Sequence, residues 1–375
     1  MRKTYSAKQG KTLKRHDWRI AIMLAAAILI VSTIIGVVLM LQLNKNNGTN
    51  PDGTPVITRS IPNPLKGLPL YTDPSSNAAT QATAWRTLKP AEAALMDKLA
   101  AQPTARWLTT QAAIDELPAY MQDAAAKKSL PLLVSYNIPL RDCGLYSAGG
   151  AESENTYRQF IDNLAETIGT NKAVVILEPD ALAGLNGKRQ DGQPCLNNQE
   201  RQMYYNLLSY AVERLKQNDS TYVYIDAGNS GWQDDANEMA RRLRKANIKT
   251  ADGFSLNISN FQTNVDTIVY GNKISSKVGG KHFVIDTSRN GLGAYENKAQ
   301  PDFNWCNPPG RALGHIPTTT TNHPLVDAFL YIKYPGESDG TDPDTTKCFG
   351  GPEAGAWWPD YAIGLIERWP QNLQQ

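Results

Sequence analysis

The chain has 375 residues, enough for one large domain of repeated strand and helix units, and its 38 Lys and Arg against 36 Asp and Glu leave a formal net charge of only +2. Much of the basic excess sits at the extreme N-terminus. No cationic stripe is left over for a nucleic acid, and that class of partner is set aside.

Residues 20–43 are almost all apolar, broken only by Ser32, Thr33, Gly36 and Gln42. Such a run is long enough to cross roughly 30 Å of hydrocarbon. Arg2, Lys3, Lys8, Lys11, Lys14, Arg15 and Arg19 precede it, whereas the next basic residues are Lys45 and Arg59. The positive-inside bias therefore predicts a cytoplasmic segment 1–19, a transmembrane signal-anchor 20–43, and an extracellular remainder held at the cell membrane by a single pass. Secretion after cleavage is the alternative, but a signal peptide has a shorter apolar region and ends at a small-x-small site, whereas this run exits through Leu41-Gln42-Leu43-Asn44. Residues 44–62, rich in Asn, Gly, Thr and Pro, read as a linker to a globular domain 63–375, expected to be monomeric.

Within that domain, helical patterns at 90–101, 115–128, 153–168, 198–216 and 234–247 alternate with short apolar runs. Those runs, at 105–108, 130–136, 173–177, 222–225, 254–256, 282–285 and 328–332, are β-branched or aromatic and too short for helices. Seven strands separated by helices predict an α/β fold, a parallel sheet buried on both faces whose right-handed crossovers close it into a barrel. Polar residues follow each predicted strand: Asn137, Arg141 and Asp142; Glu178 and Asp180; Asp226; Asn257 and Asn260; Asp286 and Arg289; Lys333, Glu337 and Asp339. Polar loop starts explain one or two such groups; six at the same end of successive strands mark the rim where barrel enzymes keep their sites.

A rim crowded with acids suits metal-assisted chemistry or glycoside hydrolysis. His282, His315 and His323 are scattered, His16 falls in the basic N-terminal segment, and no G-x-S-x-G occurs, so zinc and serine hydrolases are disfavoured and neither metal nor cofactor is expected. Trp107, Trp232, Trp305, Trp357 and Trp358 lie near strand ends or in loops, where rings can stack on sugars as well as pack. Glycosidic hydrolysis requires one carboxyl kept protonated and a second kept ionised to activate water. Asp180, with Asp142 and Asp226 at the neighbouring strand ends, is the candidate for the first role; Asp339, close to Lys333, for the second. The four cysteines, Cys143, Cys195, Cys306 and Cys348, suggest two disulfides in an exported domain, with three pairings open.

The blocks Tyr136-Asn-Ile-Pro-Leu-Arg-Asp142-Cys, Ile176-Leu-Glu-Pro-Asp180, Ile225-Asp226-Ala-Gly, Phe254-Ser-Leu-Asn-Ile-Ser-Asn260, Ile285-Asp-Thr-Ser-Arg-Asn-Gly291, Trp305-Cys-Asn-Pro-Pro-Gly-Arg311 and Ile332-Lys-Tyr-Pro-Gly-Glu-Ser-Asp-Gly340 occur in that order. Together they resemble the glycoside hydrolase family 6 cellulases from about Leu65 to the C-terminus. The resemblance implies a distorted seven-stranded parallel barrel and hydrolysis of internal β-1,4-glucosidic bonds in cellulose or a related β-glucan with inversion. It also implies Asp180 as proton donor, Asp142 as the residue that raises its pKa, and Asp339 as base, directly or through water with Ser147. Tyr136 would press on the sugar at the cleavage subsite. Trp107, Trp232 and Trp305 would be sugar platforms, with Asp226, Asn257, Lys333 and Glu337 as further polar groups of the groove. The disulfides implied are Cys143 with Cys195 and Cys306 with Cys348.

One position departs from the family pattern: Asn229 stands where His usually follows Asp-Ala-Gly, so a sugar contact is changed to one that cannot carry charge. Only about twenty residues separate Gly310 from Lys333, which favours an open cleft and endo action over a tunnel-roofed exo-acting cellobiohydrolase. A glycan-binding protein without turnover is the reading from another class, although binding alone has no need of Asp142, Asp180 and Asp339 together.

Overall fold

The computed structural model describes residues 62–189, 191–233, 235–296, 304–341 and 348–374. The predicted cytoplasmic segment, membrane span and linker therefore lie outside the described residues, apart from Pro62. Among the described residues no helix is long and apolar enough to cross a membrane.

All seven predicted runs form strands: β1 (Arg106–Leu108), β2 (Leu132–Ser135), β3 (Ala173–Leu177), β4 (Thr221–Asp226), β5 (Gly253–Leu256), β6 (His282–Asp286) and β7 (Val326–Leu330). They pair in parallel in simple chain order. Because a strand points alternate side chains to opposite faces, Val174 and Ile176 of β3 join the inner cluster with Leu132, Val134, Val284 and Leu330. Ala173, Val175 and Leu177 face the helices instead. Burial on both faces is why these runs are continuously apolar; each buried Val, Leu or Ile contributes roughly 1.5–3 kcal/mol relative to exposure.

The predicted closed barrel is realised differently. No ladder joins β1 to β7; they meet at one parallel bridge, Thr104 with Tyr331, beside which the Trp107 indole Nε1 donates to the Ile332 carbonyl at 2.8 Å. The fold is a curled parallel sheet whose edges touch at a point, because β1 is only three residues long and offers little edge to pair.

Helices cover the outer face. In chain order they are α1 (Asn77–Trp85), α2 (Pro90–Ala100), α3 (Gln111–Asp115), α4 (Leu117–Ala126), α5 (Glu154–Ile168), α6 (Asn198–Leu215), α7 (Ala236–Lys245), α8 (Asn264–Ser275) and α9 (Pro359–Glu367). Their starts are written locally: Ser153, Asp235 and Thr263 cap α5, α7 and α8, and Asn197 forms a capping box with Glu200 on α6. The helix predicted at 115–128 forms as α4, and the short α3 precedes it as a separate element that was not predicted. Pro118 sits in the first turn of α4, where its missing N–H costs nothing, and Thr110 caps the separate short α3. At the floor, His282 Nδ1 lies 2.7 Å from Asp327 Oδ1 and the Tyr224 hydroxyl donates to Asp327 Oδ2 at 2.8 Å, so His282 belongs to a buried structural network.

Both disulfides pair as the resemblance implied, Cys143 with Cys195 and Cys306 with Cys348. The first ties the loop after β2 to the approach to α6. The second ties the Trp305 loop to the segment beyond Asp339.

Candidate active site

At the carboxyl ends of the strands, three buried acids hold loop backbones in place. Glu178, one residue past β3, accepts from the N–H groups of Asn137 and Ile138 at 2.9 Å each, and from the hydroxyls of Ser135 (2.7 Å) and Tyr157 (3.1 Å). Asp226, ending β4, accepts from the Asp180 N–H at 2.9 Å and the Gly228 N–H at 3.1 Å. Asp286, ending β6, accepts from the N–H groups of Ser259, Ser288, Ile332 and Lys333 at 2.9–3.2 Å. Each carboxylate satisfies amides that a buried loop would otherwise leave unpaired, and joins the ends of adjacent strands in doing so. Burial pushes Glu178 and Asp226 up to about 7 despite these donors, and Asp286 is also raised by burial.

The loops so held carry the predicted site. Asp180 follows Glu178 and Pro179 with φ of 67°, and Asp142 leads a short turn with φ of 57°. Eight of the eleven non-glycine residues with positive φ among the described residues fall on these rim loops: Leu140, Asp142, Cys143, Glu178, Asp180, Asn257, Ser259 and Asn307. Left-handed backbone costs roughly 1–2 kcal/mol per residue, so its concentration at one end of the sheet points to a geometry kept for function.

The four acids of the sequence motifs converge. Burial is the first cause that holds the Asp180 proton well above the ordinary carboxyl range, followed by the negative charges of Asp226, Asp142 and Asp339. No hydrogen bond among the described residues ends on its carboxylate oxygens. Asp142 is pushed up by burial to about 6, against the pull of the Ser147 N–H, which donates to its Oδ2 at 2.6 Å, and of Arg141. Asp339 lies in the opposite environment: Arg289 Nη1 and Nη2 donate to its two oxygens at 2.7 and 2.9 Å, and the Asn307 N–H reaches Oδ2 at 3.1 Å. Lys333, the neighbour expected from sequence, is only a distant partner at 3.8 Å. Arg289 is the closer partner, since the planar fork of an Arg matches a carboxylate bidentately and a Lys ammonium does not.

The loops of Asp142 and Asp339 also touch. Gly340, with φ of 151°, is pressed by the Tyr146 ring: a Cβ there would lie 2.4 Å from Tyr146 Cγ. Tyr146 in turn tilts against Trp305 with ring centroids 6.2 Å apart. On the β1 side, Trp107 meets Tyr136 edge to face at 5.2 Å, and Arg141 lies over the Tyr136 ring at 4.6 Å. Burial and the charges of Asp180 and Asp142 both raise the Tyr136 phenol, so it stays protonated.

The remaining predicted residues divide. Trp232 is 47% exposed on the loop after β4. Lys333 and Glu337 lie against Asp339, with burial lowering the Lys333 ammonium and raising the Glu337 carboxyl. Asn257 is fully buried with its amide bonded to Asp286 O, Gln262 O and Gln262 N, so it shapes the loop rather than presenting itself to a ligand. Asn229 is 4% exposed and its Oδ1 accepts from the Gly231 N–H at 3.0 Å, building the turn that presents Trp232. Trp357 and Trp358 pack instead, edge to face on Tyr334 and stacked on Tyr361. The sequence named Glu178, Asp286 and Arg289 as rim residues but gave them no task; nothing in a linear motif distinguishes an acid that turns inward to loop amides from one that faces the groove.

A parallel α/β sheet bearing strained loops and carboxyls in opposed environments at its C-terminal rim defines the class of two-carboxylate glycoside hydrolases. The profile of glycosyl hydrolases family 6 matches residues 65–369, and the chain belongs to that family. It is 40% identical over 314 residues to endoglucanase A of Cellulomonas fimi, covering 82% of this chain and 63% of that relative, so it spans less than two thirds of the relative's length. Endoglucanase 1 of Streptomyces halstedii is 38% identical over 308 residues, 79% of this chain and 88% of that one. The endoglucanase Cel6 from Mycobacterium tuberculosis, solved with a methyl-cellobiosyl-4-deoxy-4-thio-β-D-cellobioside, superposes with a TM-score of 0.74 at 41% identity, covering 82% of this chain and 99% of that one.

Proposed function

We propose that this protein hydrolyses internal β-1,4-glucosidic bonds of cellulose or a related β-glucan with inversion at the anomeric carbon. The observation that carries the reading is the contrast between Asp180, whose proton is held well above the ordinary carboxyl range by burial and three neighbouring acids, and Asp339, gripped through both oxygens by Arg289. Two carboxyls with opposed environments are the acid and base that glycosidic cleavage needs. Asp180 donates its proton to the leaving oxygen. Asp142 supports that proton through its charge, and Asp339 activates the attacking water directly or through a water held at Ser147. Tyr136 presses on the sugar at the point of cleavage, Trp107, Trp305 and Trp232 stack on sugar faces along the groove, and Lys333 and Glu337 bind hydroxyls.

Endo action is supported by the names of the bacterial relatives and by the segment before β7. Only about twenty residues separate Gly310 from Lys333, and bridges from Asn290 to Ala312 and from Thr318 to Phe329 tie this connection to its neighbours. The test is to assay the full chain on soluble carboxymethyl cellulose and on cello-oligosaccharides. Viscosity is expected to fall well ahead of reducing-sugar release, and proton NMR during early turnover should show the α-anomer first. Absence of any release would leave only a binding protein, and early β-anomer would require a carboxylate nucleophile and sink inversion.

We also propose that residues 20–43 anchor the protein in the cell membrane with residues 1–19 in the cytoplasm, on the strength of the apolar run and the charge bias before it. Burial of a span does not depend on ionic contacts, so the full-length protein is expected to stay with membranes through an alkaline carbonate wash. Recovery of a shortened soluble form from cells would favour a cleaved signal instead.

A further inference from the structure

The turn that carries Asp180 is gripped from beneath by side chains distant in sequence. After Asp180 the chain turns at once, with the Gly184 N–H donating to Asp180 O at 2.7 Å, and continues as a 3-10 turn, Ala183–Asn186. A buried turn leaves carbonyls without partners inside the chain, and each must find a donor elsewhere. Arg242 of α7 supplies two contacts: its Nη1 donates to Leu182 O at 2.6 Å and to Ala183 O at 3.2 Å. Gln233 Nε2 adds a second bond to Ala183 O at 3.0 Å, and Arg201 Nε reaches Leu185 O at 3.0 Å. Gly228 closes the turn from the β4 side, where an added Cβ would lie 2.9 Å from the Ala183 Cβ.

Arg242 is only 2% exposed, an expensive place for a guanidinium whose task is to hold two carbonyls. It is paired within the same helix: Nε donates to Glu238 Oε1 at 2.9 Å, and Glu238 is itself held by Arg241, which donates to both its oxygens at 2.7 and 2.6 Å. The pairing aims the guanidinium, since Nε is taken by Glu238 while Nη1 is left to the two carbonyls.

We propose that Arg242, aimed by Glu238, is a positioning residue that fixes the Asp180 carboxyl through the carbonyls of Leu182 and Ala183. The inference rests on the reading of Asp180 as the proton donor. Since a misplacement of about 1 Å can cost on the order of a hundredfold in rate, a slackened turn should show in the step that needs the proton.

The experiment compares Arg242→Gln, Arg242→Lys and Glu238→Ala in the full chain on cellotetraose and on 2,4-dinitrophenyl β-cellobioside, whose leaving group needs little protonation. Arg242→Gln is expected to lower kcat on cellotetraose about 10- to 100-fold with KM nearly unchanged, and to lose far less on the activated glycoside. Arg242→Lys, which can still reach one carbonyl, should recover part of the loss. Glu238→Ala, at a more exposed position, should give the same pattern more weakly. Equal losses on both substrates in Arg242→Gln and Glu238→Ala would overturn the proposal, as would no loss. Asp180→Asn assayed in parallel separates the two claims. A leaving-group-dependent loss there with a uniform loss in Arg242→Gln sinks the positioning role alone; a uniform loss in both sinks the donor assignment and the positioning role with it.

Discussion

Asp180→Asn is expected to lower kcat on unactivated glucan by about 10²- to 10⁴-fold, the usual worth of general acid catalysis, while leaving cello-oligosaccharide affinity close to that of the parent. Asn keeps the shape and removes the proton. Because burial and three acids hold that proton well above the ordinary carboxyl range, the donor form persists to higher pH than that of an ordinary carboxyl and is lost as pH rises through its elevated pKa. The alkaline limb of the parent's rate profile belongs to this loss, and it should disappear from the residual activity of the variant. Asn is as neutral as the protonated carboxyl it replaces, so the proton affinities of Asp142 and Asp226, near 6 and 7, should change little. Titration calorimetry with a non-hydrolysed oligosaccharide, set beside single-turnover rates, separates binding from chemistry. A loss below about tenfold, or one equal for activated and unactivated leaving groups, would remove Asp180 from the donor role.

The strands were legible because a sheet buried on both faces must be written in continuous apolar runs, and all seven fell where composition placed them. The rim was legible for the same reason in reverse: polarity resumes at each strand end. What stayed hidden was direction. Glu178 and Asp180 stand two residues apart on one loop with left-handed backbone at both, yet one turns inward to the amides of Asn137 and Ile138 and the other has no hydrogen bond to its carboxylate oxygens among the described residues. Partner choice was hidden too. Lys333 is near Asp339 in sequence, but Arg289 arrives from the end of β6 and takes the carboxylate. Helix α8 escaped because Val265 and Val269 are exposed while Thr267, Gly271 and Ser275 are buried beside Tyr270 and Ile274, which dilutes its hydrophobic stripe.

Arg289→Met should produce the largest change in stability of any single rim substitution, about 3–5 kcal/mol, because it breaks a buried pair and strands the partner. Arg289 has no exposed surface and Asp339 is 8% exposed, so water cannot replace what is lost. The guanidinium makes two bonds to Asp339 and a third, from Nη2, to Ser259 O at 2.6 Å, and it lies over the Phe261 ring at 4.4 Å. Methionine fills much of the volume against Phe261 and restores none of the charge. Asp339 then has Lys333 at 3.8 Å and the Asn307 N–H, and the cheaper outcome is a protonated or displaced carboxyl, neither of which can take a proton from water. Activity should therefore fall with stability. The double variant Arg289→Met/Asp339→Asn distinguishes the two effects: with both members of the pair removed and Lys333 left to Glu337, it should regain at least half of the lost unfolding free energy in a denaturant titration and no activity. If the double variant is no more stable than Arg289→Met alone, the cost lies in lost packing and the bond to Ser259, and Asp339 does not depend on Arg289 for its charge.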